Sequence, residues 1–195
     1  VLACHPSQPF TDVPNLIAYA RAHPGELAYG TSAIGGAPHL ASELFQMLAS
    51  VELRHARYED TRKLYADLER GEIALSFNNI MSMMPRCQSG KLRALGITSV
   101  GRVPLAPDVP TFQEFGLRDC HMSNWTGLVA PRGTPTAIAD QLDNVITSGV
   151  LTPEIVAILN ANGLVPCNGS PIALRDFIAD EIRRWGPVVA RFRHT

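Results

Sequence analysis

The feature that most constrains the fold is an alternation of short apolar strands and amphipathic helices through the first hundred residues. Strand-like runs fall at residues 27–29, 53–57, 73–77 and 92–97, and the segments between them carry apolar residues three and four positions apart. Strands separated by helices of this length are typical of βαβ units with right-handed crossovers. The pattern therefore predicts an α/β lobe built on a parallel sheet.

The second half of the chain has a different character. Prolines interrupt the pattern after Thr98 and lead into a short capped turn at residues 111–114. Strands are predicted at residues 125–130 and 164–167. Amphipathic helices fill most of the remainder, two of them opened by Thr152-Pro153 and Ser170-Pro171, which are typical helix starts.

The apolar stripes of these C-terminal helices need a surface to pack on. Two short strands are too little, so we expect the matching sheet to lie outside this chain; a helical mini-bundle is the alternative. A second copy would also cover the stripes, which predicts a homodimer through residues 131–195. The stripes comprise Ile138, Leu142, Val145, Ile146, Ile155, Ile158, Leu159, Leu174, Phe177, Ile178, Ile182 and Trp185.

Charge and cysteine content exclude several classes of function. Seventeen Lys and Arg residues balance eighteen Asp and Glu residues, and the net charge of −1 provides no field for nucleic-acid phosphates. The four cysteines are too scattered for a CxxC zinc or redox pair, so we expect thiols and no metal site, although three disulfide pairings stay open. They are Cys4, Cys87, Cys120 and Cys167.

The sequence also lacks the features of a membrane span and of a secretory leader. No apolar run approaches the eighteen residues needed to cross a bilayer. Residues 1–6 contain neither a basic region nor an apolar stretch followed by a cleavage site. We therefore expect a soluble chain whose export signal would lie upstream of Val1.

The most informative segment is the small-residue loop at residues 30–38, GTSAIGGAP, which joins a predicted strand to a predicted helix. Backbone N–H groups and the positive end of the helix dipole at such a junction can face a carboxylate or phosphate. The loop has no P-loop lysine and no GxGxxG spacing, which disfavours nucleotide cofactors. We predict an anion cradle; the alternative is a glycine-rich turn that only connects strand to helix.

Further candidate residues come from the ends of neighbouring strands. Ligands of open α/β sheets bind outside the carboxyl ends of the strands. Tyr58 ends one predicted strand, Asn78-Asn79 follow another, and Glu59-Asp60 is expected to cap the intervening helix. The predicted ligand-binding set is Thr31, Ser32, Ala33, Gly35, Gly36, Ala37, His39, Tyr58, Asn78 and Asn79.

Two runs around this loop resemble a family signature. Residues 24–32, PGELAYGTS, and residues 35–45, GGAPHLASELF, are similar to the ligand-loop signature of Bug-type receptors, the periplasmic solute-binding proteins of tripartite tricarboxylate transporters. Stretches within residues 55–58, 89–95 and 107–117 agree in order and spacing. The resemblance covers essentially all 195 residues.

The resemblance implies a periplasmic-binding-protein-like α/β fold of two lobes, with a small carboxylate-bearing solute in the cleft between them. Residues 3–122 correspond to a complete inserted lobe, and residues 123–195 to a crossing strand and the C-terminal helices of a second, incomplete lobe. The implied protein is a periplasmic receptor without enzymatic activity. It would deliver a di- or tricarboxylate, an amino acid or an aromatic acid to membrane transporter subunits.

Two other functions stay open at this point. One is a truncated or degenerate module with a structural or assembly role, which the incomplete lobe suggests. Glu59-Asp60 also suggests a degenerate module, because the family usually has Lys-Gly at these two positions. The other is a hydrolase using Ser32 with His39 or His55, although neither an acid partner nor an oxyanion pair is recognisable.

Overall fold

The structure is a computed structural model that describes residues 1–167 and 169–192. Residues 168 and 193–195, which belong to the predicted C-terminal segment, lie outside the described residues. The chain forms two compact units. The first comprises Val1–Asn124 together with the end of the last helix from Val188, and the second comprises Trp125–Pro187.

The first unit is an α/β lobe with one five-stranded sheet in the order β3-β2-β4-β1-β5. All four predicted strands and the helices predicted between them are present, and a further helix precedes the first of these strands, which confirms the α/β fold class. The strands are β1 Leu2–Cys4, β2 Ala28–Thr31, β3 Arg54–Arg57, β4 Leu75–Phe77 and β5 Arg93–Gly96, and the helices are α1 Val13–Ala22, α2 Ala37–Ala49, α3 Thr61–Glu69 and α4 Ile80–Gln88.

The prediction of an all-parallel sheet needs one correction, because β1 runs against its neighbours. β2 is parallel to β3 and β4, while β1 is antiparallel to β4 and β5, so the four predicted strands share one direction. β1 is only three residues long and fully buried. Such a short apolar run shows no periodicity, and only its pairing between two other strands makes it a strand.

The core lies on both faces of the sheet. One cluster packs α1 and α2 on the sheet through Leu16, Phe45 and Phe112, and the rings of the two phenylalanines meet edge to face at 5.8 Å. The other cluster packs α3 and α4 through Leu68 and Met83. Helices on both faces leave the carboxyl ends of the parallel strands as the open edge of the lobe.

The connector after β5 contains the predicted capped turn. Thr111 N–H donates to Glu114 Oε1 at 3.0 Å, and Glu114 N–H donates to Thr111 Oγ1 at 3.2 Å, the reciprocal arrangement of a capping box. The Arg102 guanidinium donates a hydrogen bond to the same carboxylate, with 2.7 Å between Nη2 and Oε2. This hydrogen bond, the Thr111 N–H and the positive charge hold the pKa of Glu114 at about 2.

The second unit is helical. α5 spans Thr136–Asn144 and continues into one turn of π-helix over Val145–Val150, α6 spans Pro153–Ala161, and α7 spans Pro171–Phe192. Both predicted helix starts are confirmed. At α6, Thr152 Oγ1 accepts from the Ile155 N–H, and at α7, Ser170 Oγ accepts from the Ala173 N–H. No single helix among the described residues is long and apolar enough to cross a membrane, although Thr136–Gly149 and Pro153–Ala161, bent by 79°, together reach that length and apolarity.

The strands predicted at residues 125–130 and 164–167 are wrong, since neither segment forms a strand. An extended segment becomes a strand only by pairing, and no strand among the described residues pairs with either. A tryptophan is most simply expected in the core. Trp125 is instead 47% exposed and packs edge-on against Phe177, with ring centroids 5.3 Å apart. Phe177 and Ile182, predicted to face inward, are themselves exposed.

Candidate ligand-binding site

The open edge of the first unit collects the predicted site residues. β2, β3 and β4 are mutually parallel, so their carboxyl ends lie along one edge of the sheet. Thr31 is the last residue of β2, Tyr58 follows β3, and Asn78 follows β4. The helices α2, α3 and α4 begin at the same edge, which places three helix N-termini beside these residues.

Residues 31–36, the ligand loop, lead directly into the N-terminus of α2. Gly36 is the N-cap residue, and no side chain caps this helix. Gly35 has φ +75°, the left-handed region that favours glycine, and Gly36 N–H closes the turn onto Ala33 O at 3.2 Å. The positive end of the α2 dipole therefore faces the edge without a side-chain oxygen of its own to neutralise it.

The N-terminus of α4 has a similar character. Asn79 is its N-cap residue, and its side chain makes no capping hydrogen bond. Asn79 Oδ1 accepts instead from Asn124 Nδ2 at 2.5 Å, while Asn79 N–H donates to Asn78 Oδ1 at 3.2 Å. Asn124 was not predicted, because nothing local in the sequence indicates that the connector returns to the end of β4.

The N-terminus of α3 differs because it is already capped. Asp60 Oδ1 accepts from Arg62 N–H at 2.8 Å, so the predicted cap is confirmed. The helix partly neutralises that carboxylate and lowers the pKa of Asp60, mainly through this backbone N–H. A carboxylate at this position occupies the place that an anionic ligand would take, which leaves α2 and α4 as the receptive helices.

Tyr58 is at the edge, but its hydroxyl hydrogen is already used. Tyr58 Oη donates to Asp67 Oδ2 at 2.9 Å, and Arg70 pairs with the other oxygen of the same carboxylate. Burial, followed by the hydrogen bond to Asp67, raises the pKa of Tyr58 to about 12. The ring lies close to Gly30, where an added Cβ would sit 3.3 Å from Tyr58 Cε2. Tyr58 therefore presents its ring at this edge while its hydroxyl is engaged within the lobe.

Thr31 also engages its side chain within the protein. Thr31 is fully buried, and its Oγ1 lies 2.6 Å from Nε2 of the half-buried His55. Ser32, the next hydroxyl of the loop, is half-buried. Thr31 therefore turns its hydroxyl to His55, and the loop contributes its backbone N–H groups and the Ser32 hydroxyl to this edge.

Two histidines lie beneath the loop. His39, in the first turn of α2, is 3% exposed, and its Nδ1 accepts from Gly35 N–H at 3.1 Å. Its ring centroid is 4.7 Å from that of His55, which in turn stacks on Tyr29 at 4.9 Å. Burial lowers the pKa of both imidazoles below the usual value, and for His55 the neighbouring His39 adds to the effect.

A hydrogen-bonded glutamate on α2 lies close to the two histidines. Glu43 Oε1 accepts from the Tyr29 hydroxyl at 2.7 Å and from Gln46 Nε2 at 3.0 Å, and its other oxygen lies 3.8 Å from Arg191 Nε. No group of three or more His, Cys, Asp or Glu side chains suited to a metal occurs among the described residues. Cys4, Cys87 and Cys167 are thiols that form no disulfide.

Comparison with known proteins identifies the family. The model of the TctC family, the tripartite tricarboxylate transporter family receptor, matches residues 1–193. The protein BugT of Bordetella pertussis is 34% identical over 189 residues, which are 97% of this chain and 58% of BugT. A protein from the tcbD-tcbE intergenic region of Pseudomonas sp. strain P51 is 32% identical over 94% of this chain and 55% of its own length. This chain thus spans slightly more than half of these relatives.

Solved structures agree with the fold. The R. palustris protein Rpa4515 with adipate superposes with a TM-score of 0.83 at 33% identity, over 97% of this chain and 64% of that one. MatC of Rhodopseudomonas palustris, with bound malate, gives a TM-score of 0.80 at 28% identity, over 97% and 65%. The partial coverage of both fits a periplasmic-binding-protein-like fold with one incomplete lobe.

These matches remove one of the two alternative functions left open by the residues. The family is one of periplasmic solute-binding receptors and not of enzymes, which removes the hydrolase alternative based on Ser32. Family match, sequence relatives and fold agree over almost the whole sequence. The chain belongs to the TctC family of tripartite tricarboxylate transporter receptors.

Proposed function

We propose that this chain is an extracytoplasmic solute-binding module that captures a small carboxylate-bearing solute for a tripartite tricarboxylate transporter. Family membership supports the receptor role. The dicarboxylates adipate and malate in two solved relatives support the class of solute. The candidates are di- and tricarboxylates, amino acids and aromatic acids, and the receiving partners are the membrane subunits of the transporter.

The observation that carries this proposal is the uncapped N-terminus of α2 behind the ligand loop. A helix N-terminus carries about half a positive charge, and its N–H groups point at a bound anion. Gly35 and Gly36 have no Cβ and allow a carboxylate to approach the backbone closely. The N-terminus of α4 at the same edge adds a second uncapped helix.

The chemistry of the site favours recognition by backbone groups. Thr31 and Tyr58 already have protein partners for their hydroxyl groups, and Asp60 is a competing anion at α3. The proposed binding surface consists of the loop backbone, with the predicted side chains around it as walls. Such a surface selects a carboxylate group and leaves the rest of the solute to other contacts. The predicted set, from Thr31 through His39 with Tyr58, Asn78 and Asn79, remains a prediction.

The proposed lobes and location follow the family. Residues 3–122 would form the ligand-binding lobe, and residues 123–195 would supply part of the other lobe of a periplasmic receptor. Because the chain spans 58% of BugT, we propose that the remaining contacts to the solute come from segments found in the longer relatives.

A binding experiment tests the proposed function. Calorimetric titration of the 195-residue chain with adipate, malate and citrate should give saturable binding to at least one of them. The dimethyl ester of the bound solute is the matched control, since it keeps the carbon skeleton but removes the carboxylate charges. Binding of the ester as tightly as the acid, or hydrolysis of the ester, would contradict the proposal.

The helical unit supports a second candidate role, in assembly. Its apolar helix surface, defined as Ile138, Leu142, Val145, Ile158, Phe177 and Ile182, is exposed, with Ile158 at 61% and Ile182 at 71%. Soluble monomers seldom expose large contiguous apolar patches. We propose that two copies of this chain cover these residues through contacts within 131–195. A twofold axis would let one surface cover its own copy.

A further inference from the structure

The rings of His39, His55 and Tyr29 pack against one another next to the ligand loop, and this group of three rings is called the stack. The two histidines come from different elements, the first turn of α2 and the middle of β3, and their ring centroids are 4.7 Å apart with 36° between the ring planes. Tyr29 on β2 extends the stack on the His55 side, at 4.9 Å and 20°. Three neighbouring elements thus contribute one aromatic support.

Each imidazole is bonded to one end of the loop. At the beginning, His55 Nε2 lies 2.6 Å from Thr31 Oγ1. Near the other end, His39 Nδ1 accepts the Gly35 N–H at 3.1 Å. Gly35 is also the loop residue with left-handed backbone, φ +75°. A single stack therefore holds the first residue of the loop and its left-handed turn.

We propose that His39 and His55 are positioning residues, which hold the ligand loop in its binding shape through these two hydrogen bonds. The consequence for the solute rests on the proposed function, whereas the consequence for the loop does not. A loop that is ordered before binding loses less conformational entropy when it binds, so fixing it raises affinity without any contact to the solute.

The bond to Gly35 requires one protonation state of His39. An imidazole nitrogen that accepts a hydrogen bond carries no proton, so the single ring proton of neutral His39 sits on Nε2. Protonation would place a second proton on Nδ1, facing the Gly35 N–H, and would break this bond. Burial lowers the pKa of His39, which agrees with a neutral ring.

Some charged groups around the stack favour protonation of the two imidazoles, and others oppose it. Glu43 on α2 faces both imidazoles and favours their protonation, while Arg57 on β3 opposes that of His55. Arg191, 3.8 Å from Glu43, offsets part of the glutamate charge, and the Tyr29 hydroxyl donates to the same carboxylate. A protonated histidine would also attract a solute carboxylate. Affinity at low pH is for that reason an ambiguous measure, and the state of the loop is the better one.

Two substitutions at position 39 separate the hydrogen bond from the ring. In His39→Asn the side-chain oxygen takes the place of Nδ1 as an acceptor but the stack is lost. In His39→Phe the ring remains and the acceptor is lost. Amide hydrogen exchange of Gly35, measured by NMR on the 195-residue chain without solute, should be about tenfold faster in His39→Phe and near the parent rate in His39→Asn, as expected for one hydrogen bond. His23→Phe, an exposed histidine stacked on Tyr19, is the matched control.

Affinity gives the second measurement. With adipate as the probe, His39→Phe should bind about tenfold more weakly than the parent, equivalent to about 1.4 kcal/mol, and His39→Asn within about threefold of it. Unchanged Gly35 exchange in His39→Phe, or equal exchange in both variants, would overturn the proposal. If the exchange rates behave as expected but neither parent nor variants bind any carboxylate, the proposed function fails while the positioning role stands.

A measurement on the parent protein keeps the proposal testable if His39→Phe does not fold. Nitrogen-15 chemical shifts of the His39 ring report which nitrogen carries the proton. We expect the proton on Nε2 at pH 8, and loss of the Gly35 hydrogen bond as His39 gains its second proton. A ring protonated on Nδ1 at pH 8 would refute the proposal.

Discussion

Tyr58 donates its hydroxyl hydrogen to Asp67, with 2.9 Å between Oη and Oδ2, although it stands at the edge where a solute carboxylate is expected. The sequence pattern predicts that Tyr58 binds the ligand. In the structure this hydroxyl has an internal acceptor, and a carboxylate would have to compete with Asp67 for it. The pair therefore connects the residue after β3 to α3 without offering a donor to a solute.

Tyr58→Phe tests this assignment. We expect solute affinity to change by less than about threefold, because the ring remains and no donor to the solute is lost. Stability should fall by about 1–2 kcal/mol, since Asp67 loses a charge-assisted hydrogen bond. Urea unfolding and calorimetry measure the two effects, and Tyr65→Phe is the matched control. A large loss of affinity with little loss of stability would show that Tyr58 binds the solute directly.

Gly36→Val tests the ligand loop. A Cβ at this position would lie 3.2 Å from Ala33 Cβ and 3.3 Å from Ala33 O, so the loop has to shift where it meets α2. We expect solute binding to be lost while the far-ultraviolet circular dichroism stays that of the parent. Gly186→Val is the control, because an added Cβ there meets no atom within 4 Å. Parent-like affinity in Gly36→Val would mean that the solute binds elsewhere.

Acid should destabilise the lobe through the buried histidines. Burial places the folded-state pKa of His39 and His55 below the ordinary value of 6.5, so the unfolded chain takes up protons first as the pH falls. The contribution of these two histidines to the free energy of unfolding is therefore fully retained above pH 6.5 and declines below it. His39→Asn should decline less steeply between pH 8 and pH 5 in urea unfolding. Parallel curves for parent and variant would contradict this assignment.

Protonation of the Glu114 carboxylate should lower the free energy of unfolding over a separate, more acidic pH range. Its folded-state pKa of about 2 lies below the ordinary 4.5, so its contribution is present above pH 4.5 and is lost as the pH falls toward 2. Glu114→Gln should remove this second decline and leave the one below pH 6.5 intact. Because the group is exposed, we expect added salt to weaken its effect.

The apolar helix surface predicts association. Light scattering over a dilution series should show a dimer, and the double variant Ile158→Glu with Ile182→Glu should shift it to monomer, because charges at a buried interface are costly. Val100→Glu, at an equally exposed apolar residue of the first unit, is the control and should stay dimeric. A folded monomer that binds no hydrophobic dye would show that these residues need no cover.

Features that depend on neighbouring residues could be predicted from the sequence. Asp60, Thr152 and Ser170 cap helices whose N–H groups lie two or three residues away, and the bonds form wherever the chain goes. Three of the four predicted strands carry an apolar run long enough to identify, β3 being the exception, and the helices between the strands make them parallel. The small-residue loop ahead of α2 was recognisable for the same local reason.

Features that depend on distant partners were decided by the tertiary structure alone. β1 is a strand because β4 and β5 leave a place between them, whereas residues 125–130 stay unpaired because no described strand lies beside them. The stack of His39 on His55 exists because the parallel pairing of β2 with β3 brings a strand residue under the first turn of α2. Hydrogen bonds and ring contacts act over a few ångströms, so the sequence determines those made within a turn, and the fold determines those made between elements.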